Sequence, residues 1–164
     1  MSTQFKLLTP LDEVAVADAA RRLLAAGCEA VVIHFLHSYI NPAHERRAAG
    51  IVRGLWPNAY VTAGHAILSE YREYERGVTA AVNASVQPVL DRYLSRLRTE
   101  LKAKGYDRDL LVMQGNGGTI SSQLIAEAAV NTVMSGPASG VMAAVATGRR
   151  AGMPDLLTYD MGGT

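Results

Sequence analysis

A short segment near the end of the sequence carries the residues best suited to chemistry. The apolar residues before Asp160 predict a buried strand over 155–160, which Asp160 ends. Gly162, Gly163 and Thr164 come soon after it. Glycines allow tight turns and close approach to a ligand, and successive N–H groups in such a turn can bind an anion. A carboxylate beside a bound phosphate can hold the accompanying Mg²⁺, so the pattern predicts nucleotide phosphate and metal binding at Asp160. An ordinary Asp-Gly hairpin turn is the alternative interpretation.

A second glycine-rich segment follows another predicted strand. The apolar residues 110–113 predict a buried strand, and Asn116, Gly117 and Gly118 come soon after its carboxyl end. Ligands of open α/β sheets bind outside the carboxyl ends of the strands, so these residues are candidates for ligand contact. Asn-Gly is also a common tight turn, and the segment alone does not separate the two interpretations.

Gly136 is the third candidate. It lies in a Ser-Gly-Pro sequence that ends a strand predicted over 130–134 and starts a helix predicted over 137–150. Proline is favoured in the first turn of a helix. The small residues of this helix allow close approach of a neighbouring backbone. Ser121 is also predicted to cap a short helix that reaches about Ala128.

Histidines and paired charges have less specific interpretations. The four histidines, His34, His37, His44 and His65, lie near predicted strand ends, but their spacing matches no standard pattern of metal ligands and no cysteine accompanies them. Capping, hydrogen-bonded or solvent-facing histidines are favoured over a metal site. The Glu and Arg residues of segment 70–76 recur at three- and four-residue spacing, which predicts pairing along one face of a helix.

The remaining pattern predicts an α/β fold, because amphipathic helices alternate with short buried strands. The further strands are predicted over 30–36 and 60–63, and the further helices over 10–26, 42–55 and 73–104.

Composition excludes several classes of protein. The 164 residues carry a formal charge of +1, which argues against a dedicated nucleic-acid surface and against a polybasic membrane anchor. No apolar run reaches the roughly 18–20 residues of a membrane span. The single cysteine, Cys28, excludes an internal disulfide and suits a reducing cytoplasm. We therefore expect a cytoplasmic globular chain with neither nucleic acid nor membrane as partner.

Five segments together resemble the hydantoinase/oxoprolinase family. They cover nearly the whole chain, and they read HSYINPAHE at 37–45, EYREYERGVTAAVNASVQP at 70–88, QGNGG at 114–118, SGPASG at 135–140 and YDMGGT at 159–164. Members of this family are similar in using ATP to activate a carbonyl or cyclic amide oxygen. The resemblance implies an ATP-dependent hydrolase of hydantoin or 5-oxoproline. An ATP-handling segment of an acetone-type carboxylase and a nonenzymatic binding or structural module are the alternatives.

The resemblance also implies a fold and a site. The fold is part of a ribonuclease-H-like lobe of the actin-like ATPase superfamily, with three layers and helices around a mainly parallel sheet. Residues 1–105 would end the family's amino-terminal region, and 106–164 would begin its hydantoinase A region. ATP would meet Gly136 and the 116–118 turn, while Asp160 would hold Mg²⁺ through water and the residues 162–164 would donate to phosphate oxygens.

Partners and activity follow from the same resemblance. The substrate would be a small cyclic amide or carbonyl compound, and the partners would be the remainder of the same polypeptide and a hydantoinase B-type subunit. A similar hairpin near the amino terminus of family members has no counterpart before Thr9. We therefore expect the 164 residues to be an internal fragment that is inactive alone, because phosphoryl transfer depends on positioning from two lobes. The catalytic residues are not identified by the sequence.

Overall fold

The computed structural model describes residues 9–162 of the chain. Its helices are α1 (Glu13–Ala25), α2 (Ala43–Leu55), α3 (Gly64–Ile67), α4 (Glu73–Ala103), a 3₁₀ helix (Ile125–Thr132) and α5 (Ser135–Arg150). Its strands are β1 (Val31–Ile33), β2 (Val61–Ala63), β3 (Leu111–Met113) and β4 (Thr119–Ser121). The chain divides into two compact units after Pro88, which lies inside α4. The predicted α/β class is confirmed, while the division of family regions at residue 105 stays a prediction.

The first unit, residues 9–88, is built on a parallel strand pair. Strands β1 and β2 pair in the register Val31 with Val61 through Ile33 with Ala63, and α2 makes the connection between them. Parallel strands need such a crossover, usually a helix. A core of small and branched apolar side chains lies around this pair, formed by Ala20, Val31, Ile33, Ala48, Ala49, Val52, Trp56, Val61 and Ala63.

Local signals set the ends of the first two helices. The Asp12 side chain accepts a hydrogen bond from the Ala15 N–H at 2.9 Å and caps α1, as expected for an aspartate before a helix. Gly27 stops the helix by adopting φ +81°, a left-handed conformation that glycine tolerates. Asn41 accepts from the Ala43 N–H at 3.1 Å at the start of α2. The helices predicted over 10–26 and 42–55 are therefore confirmed to within three residues.

The second unit, residues 89–162, contains an antiparallel hairpin. Strands β3 and β4 pair from Leu111 with Ser121 to Met113 with Thr119. In the described part of the chain, parallel pairing is thus confined to β1 and β2. The 3₁₀ helix and α5 follow the hairpin, and both contact β3.

The strand predicted over 130–134 is wrong. Residues 125–132 form a 3₁₀ helix instead, in which Ile125 and Ala129 are fully buried. Ala128, with φ −124° and ψ 50°, interrupts this helix, so the two buried residues lie on either side of a kink. Ser121 ends β4 and its hydroxyl accepts from the Gln123 N–H at 3.1 Å, but the helix that follows begins only at Ile125 and is a 3₁₀ helix.

The strand predicted over 155–160 is wrong as well. The segment has no regular structure, and Leu157 and Tyr159 are 98% and 81% exposed. An extended segment becomes a strand only when another strand accepts its backbone hydrogen bonds. Within residues 9–162 no strand does so for this segment.

Two properties of the surface complete the description. Cys28 is exposed in the turn after α1. Among residues 9–162, none of the helices has the length and apolar character required to cross a membrane.

Candidate functional site

The turn between β3 and β4 uses most of its own backbone donors. Gln114 N–H donates to the Gly118 carbonyl at 2.8 Å, and Gly117 N–H donates to the Gln114 carbonyl at 3.0 Å. Gly118 N–H donates to Oδ1 of Asn116 at 2.8 Å. Gly115 N–H donates to the Asn131 carbonyl at 2.7 Å. The glycine N–H groups of this turn are therefore occupied within the protein.

Asn116 carries the donors that remain. Its Oδ1 atom is held by Gly118, while its Nδ2 group and its backbone N–H form no hydrogen bond within residues 9–162. The residue is exposed. A side-chain amide has two N–H donors, which suit a phosphate or carbonyl oxygen. Of the three turn residues predicted from the sequence, Asn116 is the one whose N–H groups can donate hydrogen bonds to a ligand.

The turn lies against the segment that starts α5. The Gly115 N–H donates to the Asn131 carbonyl, and a Cβ atom placed on Gly115 or Gly117 would meet the Val133 carbonyl or the Met142 side chain on α5, respectively. Gly117 has φ +83°, which suits glycine and strains other residues. Two motifs about twenty residues apart in the sequence are thereby brought together.

Gly136 lies in the first turn of α5. The helix begins after Met134, whose φ of +65° turns the chain sharply. Gly136 is exposed, and a Cβ atom placed on it would meet open space. The first N–H groups of a helix have no intrahelical acceptor and favour negative charge. The start of α5, beside the turn, is therefore suited to an anion.

Asp160 and Gly162 are not brought to this place. Asp160 is exposed and forms no hydrogen bond or ion pair within residues 9–162. Gly162 has nothing within 4 Å of an added Cβ atom. Gly163 and Thr164 lie outside the described residues. Within residues 9–162, the 114–118 turn thus packs against the segment that leads into α5, while the Asp160 carboxylate has no partner.

A second polar cluster lies at the carboxyl ends of β1 and β2, and its centre is Glu45. One carboxylate oxygen accepts from the Phe35 N–H at 2.8 Å, just after β1. The other accepts from the His65 N–H at 2.6 Å, just after β2, and contacts the His65 ring nitrogen Nδ1 at 2.8 Å. Glu45 is fully buried. One carboxylate therefore joins the ends of the two paired strands.

Glu73 and Arg76 form the outer part of this cluster. Arg76 is fully buried, and it donates to Glu73 and to the carbonyls of Phe35 and Glu70. Glu73 also accepts from the His37 N–H at 2.8 Å. His37 has φ +56°, which is unusual for a residue other than glycine. These bonds fasten the loop after β1 to the first turn of α4.

His34 occupies a slot between two glycines. A Cβ atom on Gly64 would lie 3.0 Å from His34 Nδ1, and one on Gly77 would lie 3.2 Å from its ring. His34 Nε2 is 3.8 Å from Glu73. The slot explains why both flanking positions are glycine.

Both carboxylates of the cluster are stabilised in their charged form. Burial alone raises the pKa of Glu45, but hydrogen bonds from the His65 and Phe35 backbone, from Ser38 and from the His65 ring outweigh it, so its pKa is lowered. The hydrogen bond from the His37 backbone lowers the pKa of Glu73, and the charge of Arg76 lowers it further. The cluster therefore contains two charged carboxylates, Glu45 and Glu73, and both accept hydrogen bonds from the protein.

Sequence reasoning located three of these histidines near strand ends but missed the two acidic residues that organise them. Segment 70–76 was interpreted as a charged helix face, and Arg72 and Glu75 do pair there at 3.2 Å. Buried Arg76 departs from that interpretation. Its signal was available, because Arg76, Ala80 and Asn83 recur at helical spacing on the face of α4 that is buried. No group of three or more His, Cys, Asp or Glu residues in the described part of the chain could hold a metal ion.

A cleft of about 290 Å³ lies at the end of α4. Its walls include Arg98, Lys102 and Arg108 together with Asp107 and Asp109. None of the candidate residues from the sequence lines it. Cations near a helix end also complement the exposed carbonyls there, so the charge of the cleft has a local explanation.

Comparison with known proteins identifies the family. The hydantoinase/oxoprolinase profile matches residues 76–164, and the profile of the N-terminal region of that family matches residues 1–55.

Individual relatives agree with these profiles. Caprolactamase subunit alpha of Pseudomonas jessenii is 37% identical over 95% of this chain and 22% of its own length. Acetone carboxylase beta subunit of Xanthobacter autotrophicus is 34% identical over 94% of this chain and 22% of its own length. The crystal structure of the ATP-dependent caprolactamase from Pseudomonas jessenii superposes with a TM-score of 0.87 at 35% identity, over 100% of this chain and 24% of that one. The chain thus spans about a fifth of the length of the curated relatives.

Proposed function

Because the chain belongs to the hydantoinase/oxoprolinase family, we propose that it acts as part of an ATP-dependent enzyme that hydrolyses a cyclic amide, such as a hydantoin or 5-oxoproline, with cleavage of ATP. The observation that carries the proposal is the contact of the 114–118 turn with the start of α5. That contact supports a site to which donors from both segments would contribute. The similarity to an ATP-dependent caprolactamase supports the same reaction class.

Each candidate residue has a role in this proposal that fits its chemistry. The Asn116 amide and the first N–H groups of α5 near Gly136 would bind phosphate oxygens, since they are exposed donors without an acceptor within residues 9–162. The Asp160 carboxylate would hold Mg²⁺ through water, as a free oxygen ligand suited to that ion. Gly162, Gly163 and Thr164 would add backbone donors. Bound ATP would supply a phosphoryl group that activates the amide oxygen.

The site would neutralise charge rather than move protons. A phosphoryl group in transfer carries negative charge on its outer oxygens, and N–H donors and a metal ion stabilise that charge. The occupied N–H groups of Gly117 and Gly118 would serve by holding the turn in shape. We propose that these two glycines shape the site and that Asn116 contacts the nucleotide.

Partners and location complete the proposal. A small cyclic amide or carbonyl substrate, the remainder of a longer polypeptide and a hydantoinase B-type subunit would be the partners. Two of the relatives are named as subunits, which supports assembly with other chains. The single cysteine supports a cytoplasmic location.

A carboxylase is the second candidate. The 34% identity to an acetone carboxylase subunit favours it, because that relative matches the chain over the same length as the caprolactamase subunit. In that case the activated oxygen would belong to a ketone or to bicarbonate. Dependence of ATP cleavage on bicarbonate, with no dependence on a lactam or hydantoin, would select the carboxylase.

The proposed function is tested by Asp160→Asn in the complete enzyme that contains this chain. Asparagine keeps the shape and removes the charge, so we expect phosphate release that depends on the cyclic amide to fall about 100-fold or more, since a metal ion contributes several kcal/mol to such transition states. Asp155→Asn is the matched control, because Asp155 is an exposed aspartate in the same segment. Steady-state phosphate release at saturating Mg²⁺ and ATP gives both rates. Equal rates for the two variants would refute the role of Asp160.

A further inference from the structure

Backbone contacts, rather than side chains, set the position of the 114–118 turn. The Gly115 N–H donates to the Asn131 carbonyl at 2.7 Å. A Cβ atom placed on Gly115 would overlap the carbonyl oxygen of Val133. That oxygen belongs to the backbone and cannot rotate away as a side chain can. Gly115 is therefore the point at which the turn approaches the segment that leads into α5.

The other two glycines of the turn differ from Gly115 in what surrounds them. A Cβ atom on Gly117 would lie 3.2 Å from the side chain of Met142, which is flexible. A Cβ atom on Gly118 would lie 3.1 Å from Oδ1 of Asn116. Only at Gly115, among these three, would an added methyl group meet a fixed backbone atom that precedes α5.

A displacement at Gly115 would pass directly to Asn116. Consecutive Cα atoms are held about 3.8 Å apart by the peptide unit, so Asn116 must follow its neighbour. Val133, in turn, is two residues before Ser135, where α5 begins. Gly115 thus fixes the distance between the Asn116 amide and the start of the helix.

We infer that Gly115 is a positioning residue of the nucleotide site: its backbone contacts hold the Asn116 amide in a fixed position relative to the segment that leads into α5. The inference rests on the proposed function and adds a residue to which the proposal gave no role. Its ligand is that of the proposed function, the phosphate groups of ATP. A 1 Å error in such positioning can cost about 100-fold in rate or affinity.

The test is Gly115→Ala in the complete enzyme, with MgATP and the cyclic amide as the varied substrates. We expect the KM for ATP to rise about tenfold or more while the KM for the amide stays unchanged. Gly140→Ala is the control, because Gly140 lies on α5 and an added Cβ atom would meet open space. Loss of folded protein lowers the maximal rate without changing either KM, so the two effects are separable.

Several outcomes would overturn the inference. An unchanged KM for ATP in Gly115→Ala, or equal rises in both KM values, would do so. If Gly115→Ala yields no folded protein, Asn116→Ala decides, since Gly115 is inferred to act by positioning that amide: a selective rise in the KM for ATP supports the inference and an unchanged KM for ATP overturns it. A wild-type enzyme without ATP-dependent turnover would instead refute the proposed function, which is a different result.

Discussion

Two segments with similar strand-forming sequences have different structures in the two units. In the first unit, residues 31–33 pair with residues 61–63 and are covered by a buried core. In the second unit, segment 155–160 contains Leu156, Leu157 and Tyr159, but it is exposed and unpaired within residues 9–162. Apolar composition therefore determines how readily a segment forms a strand. Whether the strand forms depends on a neighbouring strand whose edge can pair with it.

Polar residues show the same contrast between the units. Glu45 and Arg76 of the first unit are fully buried, and hydrogen bonds engage both. Asn116 and Asp160 of the second unit are exposed, and each keeps a polar group that has no partner among residues 9–162. Buried polar groups must be paired because leaving them unpaired is costly. The buried set is thus suited to stability, and the exposed set is suited to binding.

The largest effect is expected from Glu45→Ala. The substitution leaves two backbone N–H groups and a histidine without their acceptor, and breaking such a buried arrangement costs about 3 kcal/mol or more. Urea unfolding followed by the fluorescence of Trp56, the one tryptophan, reports on the first unit. Glu75→Ala, at an exposed glutamate of α4, is the control and should change the free energy of unfolding little. Equal losses for the two variants would contradict the role of Glu45.

Lowering the pH should reproduce part of the loss of stability that is expected from Glu45→Ala. The pKa of Glu45 is lower in the folded chain than its ordinary value of 4.5, so the unfolded chain binds the proton first. The stabilisation is complete above pH 4.5 and is lost as the pH falls through the folded pKa. Protonation keeps the carboxyl group in place, so the loss should be smaller than in Glu45→Ala. Measured by Trp56 fluorescence, Glu45→Gln should show a shallower decline below pH 4.5, and an unchanged decline would count against this assignment.

The smallest effect is expected in the second unit, from Gly148→Ala. The added methyl group would overlap the Met153 carbonyl and the Leu156 side chain, which pack at the end of α5. We expect a local loss of about 1 kcal/mol, because modest overpacking costs that much or more. Amide hydrogen exchange at Met153 measures it, since the Met153 N–H donates to the Gly148 carbonyl at 2.9 Å. Gly140→Ala should leave this exchange rate unchanged. Exchange at Met153 that does not accelerate in Gly148→Ala would show that the contact is weaker than the structure indicates.

Sequence patterns predicted the helices and the first-unit strands because local signals specify them. Asp12, Gly27 and Asn41 act within a few residues of themselves, so their roles are evident from the sequence. The strand over 130–134 failed because no strand within residues 9–162 pairs with this segment, whose first residues continue the 3₁₀ helix. The strand over 155–160 failed because pairing depends on a second segment.

The candidate site was predictable in part for the same reason. Residue types indicated Asn116, Gly117, Gly118 and Gly136, and the structure places their segments in contact. The sequence could not show that the glycine N–H groups are already occupied, since that depends on the carbonyls of Asn131 and Gln114. The sequence also could not show that a side chain at position 115 would overlap the Val133 carbonyl, because the two residues are distant in the sequence.

The exposed thiol of Cys28 has a practical consequence for all of these measurements. A maleimide dye would attach to the chain at this one position, in the turn after α1 and within the first unit. The same accessibility allows two copies to become linked through a disulfide during storage in air, because an accessible thiolate is the species that oxidises. Samples for unfolding and exchange therefore need a reductant, or a Cys28→Ser background.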